Sequence, residues 1–126
     1  MLYKFVDICL TVCIYLFGTT FLMMKKLNFG LIGYGYWGQN LARVIHENEL
    51  CNLVAISDLN PRALNELDIK LNNVEIFNNY ESILSLPYID AVVVATPVST
   101  HYNIVKSALI HGKHVLCEKI LSNSVS

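Results

Sequence analysis

Three glycines with the spacing Gly-x-Gly-x-x-Gly lie between a short apolar run and an amphipathic segment; they are Gly33, Gly35 and Gly38. The first permits a tight turn, the second lets the backbone approach a phosphate, and the third lets a helix pack close to a strand. A helix that begins here directs free N–H groups and the positive end of its dipole at an anion. The spacing therefore predicts a turn that binds the pyrophosphate of a dinucleotide.

An acidic residue, Asp58, lies at the end of a second apolar run. A carboxylate at that place is positioned to accept hydrogen bonds from the ribose hydroxyls of an adenosine. Its charge would repel a 2′-phosphate, which favours NAD over NADP. Arg62 favours the opposite choice, because a guanidinium group could pair with that phosphate. A purely structural alternative is that Asp58 caps the helix that begins at Pro61, a role that Asn60 fills better.

Two further groups of polar residues follow apolar runs later in the chain. Thr96 and Pro97 come directly after one run, and Glu118 and Lys119 come after the next. A lysine at a strand end beside a cofactor can handle a proton when burial destabilises its charged form. The simpler alternative is a solvated lysine at the end of a strand.

Metal-binding and disulfide patterns are not favoured. His114 and Cys117 lie an odd number of positions apart on a predicted strand and would point to opposite faces, so no metal site with His111 is expected. The cysteines are widely scattered, at Cys9, Cys13, Cys51 and Cys117. Such scattering favours reduced thiols and a cytoplasmic location.

The candidate residues require strands and helices in alternation. Apolar runs predict five strands, at 29–32, 53–57, 74–77, 90–95 and 114–117. Helical spacing predicts helices that begin near the third glycine and at Pro61, then over 81–86 and after Pro97. Such alternation through short loops indicates right-handed crossovers and a doubly wound parallel α/β sheet. All four candidate groups then fall at the carboxyl ends of strands, where ligands bind to such sheets.

Finer expectations concern the helices. The inward faces are predicted to contain Trp37, Leu41, Val44 and Ile45 in the first helix and Ile104, Val105, Ala108 and Leu109 in the last. The second helix is predicted to extend over 61–71, and residues 46–52 to form a polar connection. Ser99 or Thr100 is expected to cap the last helix, and Gly112 to end it.

Length and charge restrict the possible functions. The chain has 126 residues, enough for one domain of ordinary size, and a formal net charge of −1. Because no basic cluster is present, nucleic acid is not an expected partner.

The first 24 residues are unusually apolar, and residues 8–24 form a nearly unbroken apolar segment. A membrane anchor is one interpretation, although the segment is just short of the ~20 residues needed to span a bilayer. A secretory signal is a second, but Asp7 and the lack of a small-residue cleavage site oppose it. The third is an extension upstream of a true start at Met23 or Met24. We therefore expect an apolar extension or anchor followed by a dinucleotide-binding domain, with bounds 1–24 and 25–126.

The ordered set of motifs resembles the N-terminal domain of the Gfo/Idh/MocA oxidoreductases. The matching segments are GYGYWGQN at 33–40, SD at 57–58, DAVVVATPVSTH at 90–101 and GKHVLCEK at 112–119. The resemblance implies a Rossmann-like fold and hydride transfer between NAD (NADP being less expected) and a sugar or nucleotide-sugar hydroxyl. Gly-Tyr-Trp-Gly and Thr-Pro-Val-Ser-Thr-His are similar to the branch that oxidises nucleotide-linked amino sugars.

The resemblance also implies roles for the matched residues. The turn that holds the pyrophosphate would comprise Gly33, Tyr34, Gly35, Tyr36, Trp37 and Gly38. Asp58 would bind the ribose, and the cofactor cleft would be lined by Thr96, Pro97 and His101. Glu118 and Lys119 would lie beside the nicotinamide, where Lys119 would position or polarise the substrate hydroxyl.

Two departures from the family pattern bear on function. Ile120 stands where the family usually has a proline after Glu-Lys, which affects the backbone that positions Lys119. The sequence also stops at Ser126, where the family continues with a sixth strand and a second domain that supplies most of the substrate pocket and the homo-oligomer interface. We therefore expect a truncated cofactor-binding half, with a sheet incomplete at its C-terminal edge, that is inactive by itself. The alternative is a non-catalytic NAD-binding fragment or regulatory module.

Overall fold

The computed structural model describes residues 25–65, 67, 71 and 73–119. In these residues five strands form one parallel sheet in the order β3-β2-β1-β4-β5. Their bounds are β1 Leu27–Ile32, β2 Cys51–Ser57, β3 Glu75–Phe77, β4 Ala91–Val94 and β5 His114–Cys117. The predicted doubly wound parallel α/β fold is confirmed.

Four helices connect successive strands within the described residues. They are α1 Tyr36–Glu47, α2 Pro61–Asn65, α3 Tyr80–Leu84 and α4 Val98–Ile110. The segment for which an extension or anchor was predicted lies outside the described residues. Nowhere in the described ranges is there a helix with the length and apolar character needed to cross a membrane.

Helices cover both faces of the sheet. Side chains alternate between faces along a strand, so Leu31 of β1 packs with Ile45 of α1 in one buried cluster. On the opposite face, Ile32 joins a second cluster with Ile83 of α3 and Ile104 of α4. Double coverage explains why β4 is apolar without interruption, since neither of its faces meets water.

The strand order places a switch point next to β1. From β1 the chain builds outward through β2 to β3, then returns to the other side of β1 with β4 and β5. The loops after β1 and β4 therefore leave the sheet in opposite directions. In sheets of this type, the crevice that binds a ligand lies outside the carboxyl ends of the strands at such a switch point.

Two predictions about inward-facing side chains are wrong. The buried stripe of α1 consists of Gly38, Leu41, Ala42 and Ile45. Trp37 lies outside that stripe and is 53% exposed. Leu109 of α4 is also exposed, because the residues that face the sheet there are Ile104 and Ala108.

Three predicted boundaries need correction. The polar connection is shorter than 46–52, because α1 continues to Glu47 and β2 begins at the buried Cys51. Neither Ser99 nor Thr100 caps α4, since the helix begins at Val98 and Pro97 occupies the cap position without a side-chain hydrogen bond. The second helix is described over Pro61–Asn65, and residues 66, 68–70 and 72 of the predicted 61–71 region and its end lie outside the described residues.

Other local predictions are confirmed. Asn60 rather than Asp58 serves the start of α2, because its side-chain oxygen accepts a hydrogen bond from the N–H of Arg62 at 3.1 Å. Gly112 follows α4 with a φ of +70°, a left-handed conformation that glycine adopts without strain.

Candidate dinucleotide-binding site

Backbone hydrogen bonds just beyond the strands hold the candidate loops at one edge of the sheet. The N–H of Gly33 donates to Ser57 and that of Ala95 to Ile32, each at 2.8 Å. On the flanks, the backbone N–H of Asp58 donates to the carbonyl oxygen of Phe77, and that of Glu118 donates to the carbonyl oxygen of Val94, each at 3.2 Å. These bonds place all four predicted groups at the carboxyl ends of neighbouring strands, as the sequence predicts.

Two of the three glycines are required by close packing. Gly33 has a φ of +96°, and a Cβ atom there would lie 2.7 Å from the carbonyl oxygen of Ala95. A Cβ atom on Gly38 would lie only 2.1 Å from the carbonyl oxygen of Gly33. The turn therefore packs tightly against both the start of α1 and the loop after β4.

The middle glycine faces open space instead. A Cβ atom on Gly35 would meet no other atom within 4 Å. Gly35 is also the N-cap residue of α1, and no side chain caps that helix. The N–H groups in the first turn of a helix have no acceptor within the helix. An open surface beside uncapped N–H groups and the positive end of a helix dipole fits a pyrophosphate.

Asp58 lies directly against the glycine turn. Its Oδ2 atom accepts a hydrogen bond from the N–H of Tyr34 at 2.7 Å. Its Oδ1 atom accepts a second from the N–H of Asn60, also at 2.7 Å. The turn and the carboxylate are thus in direct contact, which is the arrangement required if one ligand is to contact both.

The aromatic residues of the turn point in different directions. The ring of Tyr34 is 3% exposed and packs in the core beneath the turn. The rings of Tyr36 and Trp37 are exposed and form a T-shaped pair with centroids 5.5 Å apart. Tyr34 therefore supports the turn from below, whereas the other two rings flank it at the surface.

His101 supports the loop after β4 from inside the protein. It is 1% exposed, and its Nε2 atom lies 2.7 Å from the carbonyl oxygen of Thr96. The Thr100 hydroxyl oxygen lies 2.7 Å from both the Thr96 hydroxyl and the Pro97 carbonyl oxygen. The resemblance implies that His101 lines the cleft; in the structure its ring is buried and contacts the backbone of Thr96.

The last candidate group follows β5. Glu118 is half-buried and Lys119 is exposed. Because β5 pairs with β4, both residues lie on the same edge as Thr96. The described residues do not bury Lys119, and Ile120, which replaces the family proline, lies outside them.

Metal-binding and thiol groups do not form a reactive cluster in the described part of the chain. No three His, Cys, Asp or Glu residues there lie close enough to hold a metal ion. Burial raises the pKa of Cys51 to about 11, against a smaller opposing effect of Lys26. Burial and the neighbouring Glu118 also raise the pKa of Cys117. Both thiols are therefore poor nucleophiles at neutral pH.

Two contributors to the site were not among the predicted site residues. Ser57 supplies the carbonyl oxygen that binds Gly33, and Ala95 supplies the wall against which that glycine packs. Both act through backbone atoms, which every residue type possesses. Their only signal in the sequence is their position at the ends of predicted strands.

Comparison with known proteins places the chain among NAD-binding oxidoreductases. The model of an oxidoreductase family with an NAD-binding Rossmann fold, GFO_IDH_MocA, matches residues 27–126. The rhizopine catabolism protein MocA of Rhizobium meliloti is 30% identical over 96 residues, which cover 76% of this chain and 30% of that protein. The 2,7-anhydro-N-acetylneuraminate hydratase of Mediterraneibacter gnavus is 33% identical over 103 residues, covering 80% of this chain and 26% of the hydratase.

A solved structure shows the same fold. The scyllo-inositol dehydrogenase from Lactobacillus casei, crystallised with NAD(H) and scyllo-inositol, superposes with a TM-score of 0.74 at 29% sequence identity. The match covers 79% of this chain and 30% of the dehydrogenase. The chain thus spans less than a third of the length of each of these relatives.

Proposed function

The chain belongs to the Gfo/Idh/MocA oxidoreductase family and forms its NAD-binding Rossmann fold, and on that premise we propose that it binds NAD for the oxidation of a sugar or nucleotide-sugar hydroxyl. The observation that carries the proposal is the contact of the Asp58 carboxylate with the glycine turn, next to the start of α1, which has no side-chain cap. An anion site and a hydroxyl acceptor side by side match the diphosphate and the ribose of an adenosine diphosphate.

The choice of NAD over NADP rests on charge. The carboxylate of Asp58 is held against the turn by two short hydrogen bonds, so its negative charge stays where the adenosine ribose would lie. A 2′-phosphate would be repelled there, whereas a free hydroxyl could donate to the carboxylate. Arg62, exposed at the start of α2, is the group that would favour NADP. NAD is therefore the expected cofactor.

Lys119 is the proposed catalytic residue. When bound, NAD would supply the acceptor for the hydride of the substrate. Lys119 would then position or polarise the substrate hydroxyl from the end of β5, with Glu118 beside it. Because Lys119 is exposed here, any desolvation of its ammonium group has to come from bound ligand or from parts of the protein beyond the described residues.

The substrate class rests on the relatives. One is a scyllo-inositol dehydrogenase solved with scyllo-inositol, and a polyhydroxylated ring of that kind resembles a sugar in size and in its secondary hydroxyls. A second possibility is an NAD-binding module without turnover. The contacts described above concern a dinucleotide alone, and the exposed Lys119 is not enclosed by them, which favours this second possibility.

Calorimetry on the full chain tests cofactor binding. We expect NAD to bind, to raise the melting temperature, and to bind more tightly than NADP. Replacing Arg62 with Ala should weaken NADP binding and leave NAD binding unchanged. Absence of both heat and thermal stabilisation with NAD would contradict the proposal.

A turnover assay separates the two functions. The chain is incubated with NAD and a panel of inositols and nucleotide sugars, and NADH formation is followed. Turnover that disappears in Lys119→Met while NAD affinity is retained would support the enzyme. Tight NAD binding without turnover on any substrate would support the binding module.

A further inference from the structure

We propose that Asp58 is a positioning residue that holds the glycine turn in its pyrophosphate-binding shape, apart from any contact it makes with ribose. The inference rests on the proposed function, because it concerns the same crevice. It assigns to Asp58 an effect on the binding of phosphate groups, which an acidic side chain would not be expected to favour.

The evidence is the use of both carboxylate oxygens. Oδ2 accepts from the N–H of Tyr34 inside the turn, and Oδ1 accepts from the N–H of Asn60 in the next loop, both at 2.7 Å. The backbone of the turn is otherwise tied to β2 by the Gly33 N–H, which donates to Ser57 at 2.8 Å. One side chain therefore joins the loop after β1 to the loop after β2.

A carboxylate is the side chain that suits both donors. It has only acceptor atoms, so each oxygen can receive one N–H group. An amide of the same shape would turn an NH₂ group towards one of the two backbone N–H groups, and two donors would then face each other. Asp58→Asn can therefore keep only one of the two hydrogen bonds, to either donor, whereas Asp58→Ala removes both.

Because of the position of Tyr34, loss of its hydrogen bond to Asp58 would affect the shape of the turn. The ring of Tyr34 is anchored in the core, and Gly33 before it holds a left-handed conformation against Ala95. A Tyr34 N–H group without its acceptor is an unsatisfied donor, whose cost the turn can relieve only by moving. Movement of the turn would displace Gly35 and the start of α1, where the phosphates are expected.

Electrostatics alone predicts the opposite outcome. Removing a negative charge beside an anion site lowers repulsion and strengthens anion binding. Loss of the positioning contact weakens it instead. The sign of the change in affinity for the anion therefore shows whether relief of charge repulsion or loss of the positioning contact dominates. The anion used must lack ribose, so that no contact of Asp58 with ribose contributes.

Inorganic pyrophosphate is the probe, because it lacks ribose. Its binding to the full chain is followed by the fluorescence of Trp37, the single tryptophan in the sequence. We expect Asp58→Ala to weaken pyrophosphate binding by about tenfold. The matched control is Asp90→Ala, because Asp90 accepts the backbone N–H of Asn28 at 2.8 Å at the opposite edge of the sheet. That control should lower thermal stability and leave pyrophosphate affinity unchanged.

Amide hydrogen exchange of the ligand-free chain gives a second readout. Asp58→Ala should accelerate exchange at Tyr34, and Asp90→Ala should not. Unchanged exchange at Tyr34, or pyrophosphate binding as tight as in the wild type or tighter, would overturn the inference. A wild-type chain that fails to bind NAD would contradict the proposed function alone, since the exchange measurement requires no ligand.

Discussion

At the residue scale, Gly35 and Gly38 of the turn are subject to different steric constraints. A Cβ atom on Gly38 would collide with the carbonyl oxygen of Gly33, whose backbone N–H is bonded to Ser57 just beyond β1. Gly35 has free space around it and an ordinary negative φ of −74°. Packing therefore requires a glycine at Gly38, whereas at Gly35 only a ligand would require one.

Alanine substitutions at these two glycines should separate folding from binding. Gly38→Ala would place Cβ 2.1 Å from the Gly33 carbonyl oxygen, so we expect a loss of about 2 kcal/mol in the free energy of unfolding. Gly35→Ala should change that free energy by less than about 0.5 kcal/mol. It should nevertheless weaken NAD binding about tenfold, because the methyl group occupies the space over the turn. Denaturant unfolding and calorimetry measure the two effects, and wild-type NAD affinity in Gly35→Ala would contradict the placement of the pyrophosphate.

At the element scale, the helix starts differ in how they are satisfied. Asn79 caps α3, and its Oδ1 atom accepts the N–H of Ser82 at 2.8 Å. The start of α1, at the crevice, has no side-chain cap. A side-chain cap there would occupy the N–H groups that a phosphate needs, so the absence of a cap suits a helix that binds an anion.

The end of α4 offers a test of an element boundary. Gly112 has a φ of +70°, and a Cβ atom there would contact nothing within 4 Å. Backbone strain alone should therefore make Gly112→Ala less stable by about 1 kcal/mol. Gly112→Asn should recover much of that loss, because asparagine tolerates the left-handed conformation. Equal stability of the alanine variant and the wild type in denaturant unfolding would contradict this account.

At the scale of the whole molecule, stability depends on a sheet buried on both faces. Cys51 begins β2 within the cluster on the α1 side and is almost fully buried. Burial there excludes water from the thiol. A buried thiolate would lose hydration that the nearby charge of Lys26 only partly replaces, which links folding to pH.

Alkaline pH should therefore weaken the fold through Cys51. Its pKa is raised from 9.0 to about 11, chiefly by burial. The pKa of Cys51 is higher in the folded than in the unfolded state. Its contribution to the free energy of unfolding is therefore complete below pH 9 and is lost as the pH rises through about 11. The free energy of unfolding is expected to fall by about 2 kcal/mol by the time the pH reaches the folded-state pKa. Denaturant unfolding across the range measures it, and Cys51→Ala should show a smaller decline; an unchanged decline would exclude Cys51 as its source.

Much of the fold and the composition of the candidate site could be predicted because both depend on local pattern. The apolar runs predict the five strands, since a doubly covered parallel strand is apolar on both sides. Asp58, Thr96 and Lys119 are identified because they follow those strands, and the carboxyl ends of parallel strands meet at one edge. The glycine spacing predicts the turn between β1 and α1 because it reflects conformational and steric needs of single residues.

Only the tertiary structure decided which atoms meet. The strand order, the exposure of Trp37 and the burial of His101 under Thr96 depend on how elements pack. The bond from Tyr34 to Asp58 joins residues 24 positions apart and uses a backbone N–H that no residue type reveals. Local sequence specifies where a strand ends and which side chain follows it. Contacts between loops of separate strands are specified by the assembled sheet, because its spacing and twist bring them within hydrogen-bonding distance.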